Sequence, residues 1–406
     1  MQQYNLTATL QSSGYSIDSE YRSVIFGVVV SCKATSKKIL AKNPSLAPLH
    51  VFPSISTSTP PIITNRTMPP KTPTHLLDGG LGTLLADKYD TVFDESTPLW
   101  SSHLLLSESG RKFLLNAQSS FANSGADIIL SGTYQASYTG FENSGIKDRA
   151  EAEKLMRDGV QIANNAFGGR NGKVALSLGA YGATMIPGAE YSGAYDSDHS
   201  SVTQLAEWHS LRLSAFHGPS PEKAECWGNI EYVAFETLPR IEEVKAVRQV
   251  MDSLSEKDMK QYWISCVFPG EGNTLPDEST ILQVVEAMLE GEERKPMGIG
   301  LNCTRVGKVE GLVLEFEDAV KSLDLSGKVA LVFYPDGTQG EVYNTSTKEW
   351  EKVGGTQEAE IPWDEMMFGI LERARARGVW REIFVGGCCK TTPEHIAKLR
   401  KLIDNI

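Results

Sequence analysis

The sequence predicts an α/β fold of the (β/α)8 or TIM-barrel class, preceded by an N-terminal extension. Eight short β-rich runs, each ending in glycine or polar residues, recur from residue 75 onward. Helix-like segments with apolar residues at intervals of three and four separate these runs. Together the units occupy about 330 residues, a length that fits a barrel with insertions. A doubly wound parallel sheet is the alternative, because local patterns do not show whether the last strand pairs with the first.

The β-rich runs and the helical segments alternate along the chain as a parallel sheet requires. The predicted strands are 75–78, 127–131, 174–178, 232–235, 262–267, 297–302, 329–334 and 383–385. The clearest helical periodicity lies at 150–166, 241–253, 279–290, 312–323 and 363–376. In such a barrel the C-terminal ends of the strands share one rim, where active sites form. We therefore expect the polar motifs that follow the strands to lie together.

The first 72 residues differ in composition from the rest and form a predicted disordered extension to a barrel at 73–406. They are rich in Ser, Thr and Pro and show no sustained period of 2 or 3.6. Seven basic and two acidic side chains give the extension a charge of +5. Since the whole chain carries −12, the remaining residues carry −17. A targeting segment, a dispensable tail and a gene-model artefact remain open for it, although the acidic residues argue against a transit peptide.

Composition and charge exclude several classes of function. A net charge of −12 argues against a nucleic-acid partner, whose phosphates attract basic proteins. The apolar stretch at 24–30 reaches only about a third of the roughly 20 residues that a membrane span needs. Six unevenly spaced cysteines do not make a disulfide framework, which favours a reducing compartment such as the cytoplasm.

Polar or glycine-rich motifs directly follow four of the predicted strands. The first glycine motif lacks the third glycine of a dinucleotide fingerprint and the Lys-Ser/Thr of a P-loop. The last one follows the eighth strand, where barrels often bind phosphate, so a barrel enzyme acting on a phosphorylated metabolite is one hypothesis. The motifs are Asp78-Gly79-Gly80, Glu236, Cys303 and Gly386-Gly387-Cys388-Cys389.

Three of the cysteines are candidates for a metal site. Adjacent thiols at Cys388 and Cys389 reach one ion only if the backbone leaves extended geometry, which the two preceding glycines permit. Cys303 follows a strand on the same predicted rim. Three thiolates suit Zn2+ and leave its fourth tetrahedral position open, as in catalytic sites. Buried cysteines that only fill space, and a vicinal disulfide between Cys388 and Cys389, are the alternatives.

Six stretches of this sequence resemble the homocysteine S-methyltransferase family and together span about residues 75–400. The combination of Asn-Cys with Gly-Gly-Cys-Cys, in that order and separation, is the most specific of them. The stretches are LDGGLGT at 77–83, SGTYQ at 131–135, GAEYSG at 188–193, FETLP at 235–239, GLNC at 300–303 and GGCCKTTPEHI at 386–396.

The resemblance implies a zinc-dependent barrel that transfers a methyl group to homocysteine and produces methionine. By position, Cys303, Cys388 and Cys389 would be the zinc ligands, and the zinc-bound substrate thiolate would be the nucleophile. Asp78 and Glu236 would hold the amino group of homocysteine. Backbone amides near Gly79 and Gly80 would receive its carboxylate, and Tyr134 and Gln135 would line the same pocket. Glu190 and Tyr191 would lie in a loop that helps to close the site.

The chemistry of such a centre favours a sulfonium as the methyl donor. A free thiol is mostly protonated at neutral pH, whereas a zinc-bound one is a thiolate. S-methylmethionine and S-adenosylmethionine both carry a positive sulfur that methyl transfer neutralises. The sequence does not decide between them, nor does it indicate the oligomeric state.

Structural roles compete with several of these assignments. Asp78 could cap the helix that follows Gly82, and Glu236 could be a solvated carboxylate on the rim. A zinc ion that only holds the barrel together, without catalysis, is a third hypothesis for the whole protein. We expect His209 and His217 at the surface or in loops.

Overall fold

The computed structural model describes residues 71–89, 91–93, 97–338, 341–344, 349–352 and 361–405. Apart from its last two residues, the predicted disordered extension at 1–72 lies outside the described residues. The strands are β1 (Thr74–Leu76), β2 (Ile128–Leu130), β3 (Lys173–Gly179), β4 (Tyr232–Leu238), β5 (Gln261–Cys266), β6 (Gly298–Asn302), β7 (Ala330–Tyr334), β8 (Glu341–Asn344), β9 (Glu349–Lys352) and β10 (Ile383–Val385).

Eight of these strands form one sheet in the order β1-β10-β7-β6-β5-β4-β3-β2, and all their pairings are parallel. A further parallel bridge between Leu77 and Ile128 joins the end of β1 to β2. The sheet therefore returns on itself as a (β/α)8 barrel. This confirms the predicted fold class, and the doubly wound alternative is wrong.

Each of the eight predicted strands coincides with an observed barrel strand. The two remaining strands, β8 and β9, pair antiparallel in a separate hairpin between β7 and the next helix. The repeating βα pattern of the sequence does not predict this hairpin, because the hairpin is an insertion outside that pattern.

Helices alternate with the barrel strands and begin close to the predicted positions. Their starts follow standard capping chemistry: Ser201, Thr280 and Thr392 each cap a helix whose third residue bonds back to the cap. The helices are α1 (Leu81–Tyr89), α2 (Glu108–Asn123), α3 (Tyr138–Asn143), α4 (Arg149–Asn165), α5 (Val202–Leu213), α6 (Pro221–Gly228), α7 (Ile241–Asp252), α8 (Ile281–Leu289), α9 (Val309–Ser322), α10 (Trp363–Arg377) and α11 (Pro393–Asp404). Within the described residues, none of them combines the length and apolar character that crossing a bilayer requires.

The alternation of side chains along the strands separates two apolar layers. Val233 and Phe235 of β4 belong to the larger layer, between the sheet and the helices. Tyr232 and Ala234 belong to the smaller layer, inside the barrel. Because side chains alternate along a strand, the next inward position of β4 is Glu236. The fold thus turns this carboxylate toward the barrel interior at the C-terminal rim.

Candidate active site

A single pocket at the C-terminal rim of the barrel contains every site residue predicted from the sequence. The pocket also includes residues of the loops after β2, β3, β6 and β10. The predicted residues that line it are Asp78, Gly79, Gly80, Tyr134, Gln135, Glu236, Cys303, Cys388 and Cys389.

Three cysteine sulfurs converge at this pocket. The Sγ atoms of Cys303, Cys388 and Cys389 all lie within 4.8 Å of one another. In the part of the chain that the structure describes, no other group of three His, Cys, Asp or Glu side chains has such metal-binding spacing. Cys303 and Cys388 are joined as a disulfide, with their Cα atoms 5.5 Å apart. The vicinal pairing of Cys388 with Cys389 is therefore not the one found, and metal binding here requires the reduced thiols.

The loop after β10 is held by the backbone in a non-extended form. The N–H of Cys388 donates to the carbonyl of Pro335 at 2.7 Å, and the carbonyl of Cys389 accepts from Gly337 N–H at 2.7 Å. Lys390 then takes a left-handed conformation with φ of +61°. This turn brings both adjacent thiols to one side, as the glycines before them were predicted to allow.

The amides of the loop after β10 are already used by the protein. Gly386 N–H donates to the carbonyl of Phe333 at 3.2 Å, and Gly387 N–H donates to that of Asp78 at 3.0 Å. A Cβ added at Gly387 would lie 2.2 Å from the Thr391 side chain. Neither glycine amide is free to bind a phosphate, which removes the basis of the phosphorylated-metabolite hypothesis.

Asp78 is buried just after the end of β1 and bonds to the adjacent strand β2. It is 3% exposed, and its Oδ2 accepts from the N–H of Leu130 in β2 at 3.0 Å. Burial raises the pKa of Asp78 well above its usual value, and the nearby charge of Glu236 adds to this. The carboxylate therefore bonds to the neighbouring strand, whereas the competing interpretation had it cap the following helix.

Glu236 is 4% exposed, so the interpretation of it as a solvated rim carboxylate is wrong. Its carboxylate accepts hydrogen bonds from the hydroxyls of Ser177 and Tyr334. Burial raises the pKa of Glu236 to about 7, against the opposing effect of these bonds and of Arg212. Two buried carboxyl groups, Asp78 and Glu236, thus face one pocket. A cation bound between them would stabilise the charged form of each.

The loop after β2 carries the half-buried Tyr134 and Gln135. Arg212 of α5 holds this loop, although its own side chain is only 2% exposed. Its guanidinium donates to the carbonyls of Thr133 at 3.0 Å and Ala136 at 2.7 Å, and also to those of Tyr134 and Gly179. The local sequence pattern does not indicate Arg212, because nothing in it shows that this side chain reaches a loop 76 to 79 positions away.

The sequence patterns also failed to indicate other buried residues near the site, although some of these occupy positions that could have been recognised. Tyr334 is the last residue of β7, a strand-end position at which barrel chemistry is expected. Ser177 lies inside β3. Only the alternation of side chains along the strand, which turns Ser177 toward the barrel interior, could have indicated its role. His209 is fully buried and bonds to Glu243 at 2.8 Å, so the surface position expected for it is wrong.

Comparison with known proteins identifies the family. The model of the homocysteine S-methyltransferase family matches residues 75–403. The chain belongs to this family. It is 31% identical to homocysteine S-methyltransferase 2 of Arabidopsis thaliana over 350 residues, which cover 81% of this chain and 93% of that protein. It is 29% identical to homocysteine S-methyltransferase 1 of Zea mays over 341 residues, covering 81% and 94%.

A solved structure shares the fold. The homocysteine methyltransferase MmuM from Escherichia coli, in its metallated form, superposes with a TM-score of 0.61 at 23% identity, covering 81% of this chain and 96% of that one. Membership of the homocysteine S-methyltransferases makes the chain a methyltransferase that methylates homocysteine. The family and the enzyme class predicted from the sequence are confirmed.

Proposed function

We propose that this homocysteine S-methyltransferase transfers a methyl group from a sulfonium donor to the zinc-bound thiolate of L-homocysteine, producing methionine. The observation that carries the proposal is the convergence of three cysteine sulfurs and two buried carboxylates in one pocket. Sulfur ligands suit zinc, and the carboxylates suit the ammonium group of an amino acid.

The cysteine group fits a zinc ion in number and charge. In a tetrahedral site with Zn–S distances of about 2.3 Å, ligand sulfurs lie roughly 3.8 Å apart, so the bonded sulfurs of Cys303 and Cys388 must separate on reduction before all three can hold the ion. Burial, together with the charges of Asp336 and Glu190, raises the pKa of Cys389 to about 12. A thiolate at Cys389 therefore needs a cation beside it. Zinc held by Cys303, Cys388 and Cys389 would keep the substrate sulfur as a thiolate at neutral pH.

The two ends of homocysteine meet different parts of the pocket in this proposal. Asp78 and Glu236 hold its ammonium group between them. Its carboxylate lies at the N-terminus of α1, where the first-turn N–H groups have no partner within the helix. The N–H of Gly80 itself donates to the Thr391 carbonyl at 2.9 Å, so Gly79 and the first turn of α1 supply the donors. Tyr134 and Gln135 form the adjoining wall.

The donor enters from the open side of the pocket, which is lined by apolar groups. Phe93 and Trp100 have ring centroids 5.3 Å apart there, and Met185 and Ile186 lie on the same pocket. The homocysteine sulfur forms its bond to the methyl carbon as the bond from that carbon to the donor sulfur breaks. The electron pair of the broken bond stays on the donor sulfur, which becomes a neutral thioether. Fixing both sulfurs in line with the carbon is the contribution of the pocket.

Two finer assignments accompany the proposal. The donor class includes S-methylmethionine and S-adenosylmethionine. The enzyme works in a reducing compartment such as the cytoplasm, because its metal site requires reduced cysteines.

The proposal is tested by metal analysis followed by spectroscopy. The purified, reduced protein is expected to contain one zinc per chain. Zinc-edge X-ray absorption should then gain one sulfur scatterer when homocysteine is added, and S-methylmethionine should yield methionine. Protein that forms methionine without bound zinc, or a ligand shell that homocysteine leaves unchanged, would contradict the proposal.

A further inference from the structure

Glu190 is a buried acid in the pocket to which the proposed mechanism gives no role. It lies in the loop after β3, is 8% exposed and lines the pocket. Its Oε2 atom is fully buried and has no hydrogen-bond partner among the described residues. A buried carboxylate oxygen left in this way is costly unless a ligand brings a compensating charge.

The loop holds Glu190 in place through its backbone. Ala189 N–H donates to the carbonyl of Gly182 at 2.9 Å, and Gly193 N–H donates to that of Ala189 at 2.8 Å. A Cβ at Gly182 would lie 2.7 Å from the backbone N of Glu190, so the two loop segments are in close contact. The backbone that carries Glu190 is therefore held in place before any ligand arrives.

The surroundings of Glu190 are negative or aromatic. Its charge raises the pKa of the Tyr134 and Tyr191 hydroxyls, and Cys389 lines the same pocket. Burial raises the pKa of Glu190 itself to about 7, against a smaller opposing effect of its own backbone N–H. The pocket thus presents a cation site close to the cysteine group, next to polarisable rings.

The proposed homocysteine contacts leave this site free. The ammonium of homocysteine is assigned to Asp78 and Glu236, which extend from β1 and β4, whereas Glu190 comes from the loop after β3. A sulfonium centre carries a permanent positive charge but no N–H or O–H. A carboxylate oxygen without a donor nearby, beside aromatic rings, suits such a cation.

We propose that Glu190 binds the positively charged sulfur of the methyl donor and so selects sulfonium donors over neutral thioethers. The inference rests on the proposed function and assigns its donor site. As the methyl group leaves, the donor sulfur loses its charge and Glu190 loses its partner, which favours release of the thioether product. Because that charge is largest before transfer, Glu190 contributes to donor binding more than to the chemical step.

The test compares two ligands that differ by one methyl group and one charge. Steady-state kinetics at saturating homocysteine give the KM of S-methylmethionine and the Ki of methionine as a competitor of the donor. In Glu190→Gln we expect the donor KM to rise about tenfold or more, with kcat, zinc content, homocysteine KM and methionine Ki unchanged. Glu190→Asp, which keeps the charge, should recover part of the donor affinity, and Glu207→Gln on exposed α5 surface serves as the matched control.

Each other outcome has a distinct meaning. Equal weakening of S-methylmethionine and methionine would show that Glu190 holds the donor ammonium or only shapes the loop, and would overturn the inference. An unchanged donor KM in Glu190→Gln would also overturn it. A wild-type protein that binds no zinc or makes no methionine from any sulfonium would refute the proposed function first, and the inference with it.

Discussion

The side-chain amide of Asn302 bonds to both the backbone N–H and the hydroxyl of Thr237. Its Oδ1 accepts from the Thr237 N–H at 2.8 Å, and its Nδ2 donates to the Thr237 hydroxyl at 2.7 Å. Asn302 ends β6 immediately before Cys303, and Thr237 follows Glu236 in β4. Thr237 has a φ of +62°, an unfavourable conformation for a β-branched residue, so the two bonds stabilise a strained backbone. This pair links a candidate metal ligand to a candidate substrate carboxylate.

Asn302→Ala is expected to destabilise the protein by about 1–3 kcal/mol, because it leaves the buried N–H of Thr237 without a partner and leaves its hydroxyl with only Tyr134. Zinc affinity should fall and the KM of homocysteine should rise together, since both strand ends lose their connection. Urea unfolding, zinc competition with a chelator and initial rates measure the three effects. Thr237→Val removes only the hydroxyl and should show a smaller change of the same kind. Wild-type stability in Asn302→Ala would contradict this account.

Replacement of each candidate zinc ligand should remove zinc and activity while the barrel remains folded. The variants are Cys303→Ala, Cys388→Ala and Cys389→Ala, with metal content, activity and circular dichroism as the measurements. Cys226→Ala is the matched control, because this buried cysteine packs between the sheet and the helices. Full activity in any of the three ligand variants would refute the assignment.

Glu236→Gln should weaken homocysteine binding while zinc is retained. The pKa of Glu236 is raised to about 7, so the carboxyl is neutral at low pH and becomes charged as the pH rises through about 7. Only the charged form attracts the ammonium group, and affinity for homocysteine should therefore increase over this range. Titration at several pH values measures the effect. In the variant this increase should be smaller, because only the Asp78 carboxyl remains to titrate, and an unchanged pH profile would argue against contact of Glu236 with the ammonium.

Gly80→Ala should disturb the cysteine loop. An added Cβ would lie 2.5 Å from the carbonyl oxygen of Cys388 and 3.1 Å from the Cα of Cys389. Because backbone atoms cannot move aside locally, the loop must shift, and both zinc affinity and homocysteine affinity should fall. Gly228→Ala is the control, since a Cβ there meets nothing within 4 Å. Equal behaviour of the two variants would show that Gly80 does not position the loop.

Arg212→Met should be one of the most damaging single changes outside the cysteine group. It leaves the carbonyls of the loop after β2 without their buried donor, at an expected cost of about 3 kcal/mol or more. Arg212→Lys should recover only part of this, because an ammonium lacks the planar fork of the guanidinium. Arg373→Met, at a side chain 55% exposed, should change stability by less than about 0.5 kcal/mol. Thermal unfolding distinguishes these outcomes.

The sequence by itself determined the barrel and the rim that carries the site. The β-rich runs, the intervening periodicity and the polar motifs after strands are local signals, and parallel strands necessarily bring their C-terminal ends to one rim. All the predicted site residues therefore lie in one pocket, although Gly79 and Cys389 are separated by most of the barrel sequence.

Only the tertiary structure decided how those residues are held. The bonds from Ser177 to Glu236 and from Asn302 to Thr237 join residues 59 and 65 positions apart, and Arg212 in α5, after β3, reaches the loop after β2. The burial of His209 and the missing partner of Glu190 likewise depend on which elements pack against them. The physical reason is that periodicity reports which face of an element is apolar, whereas a contact between distant side chains depends on strand register and packing in the closed barrel.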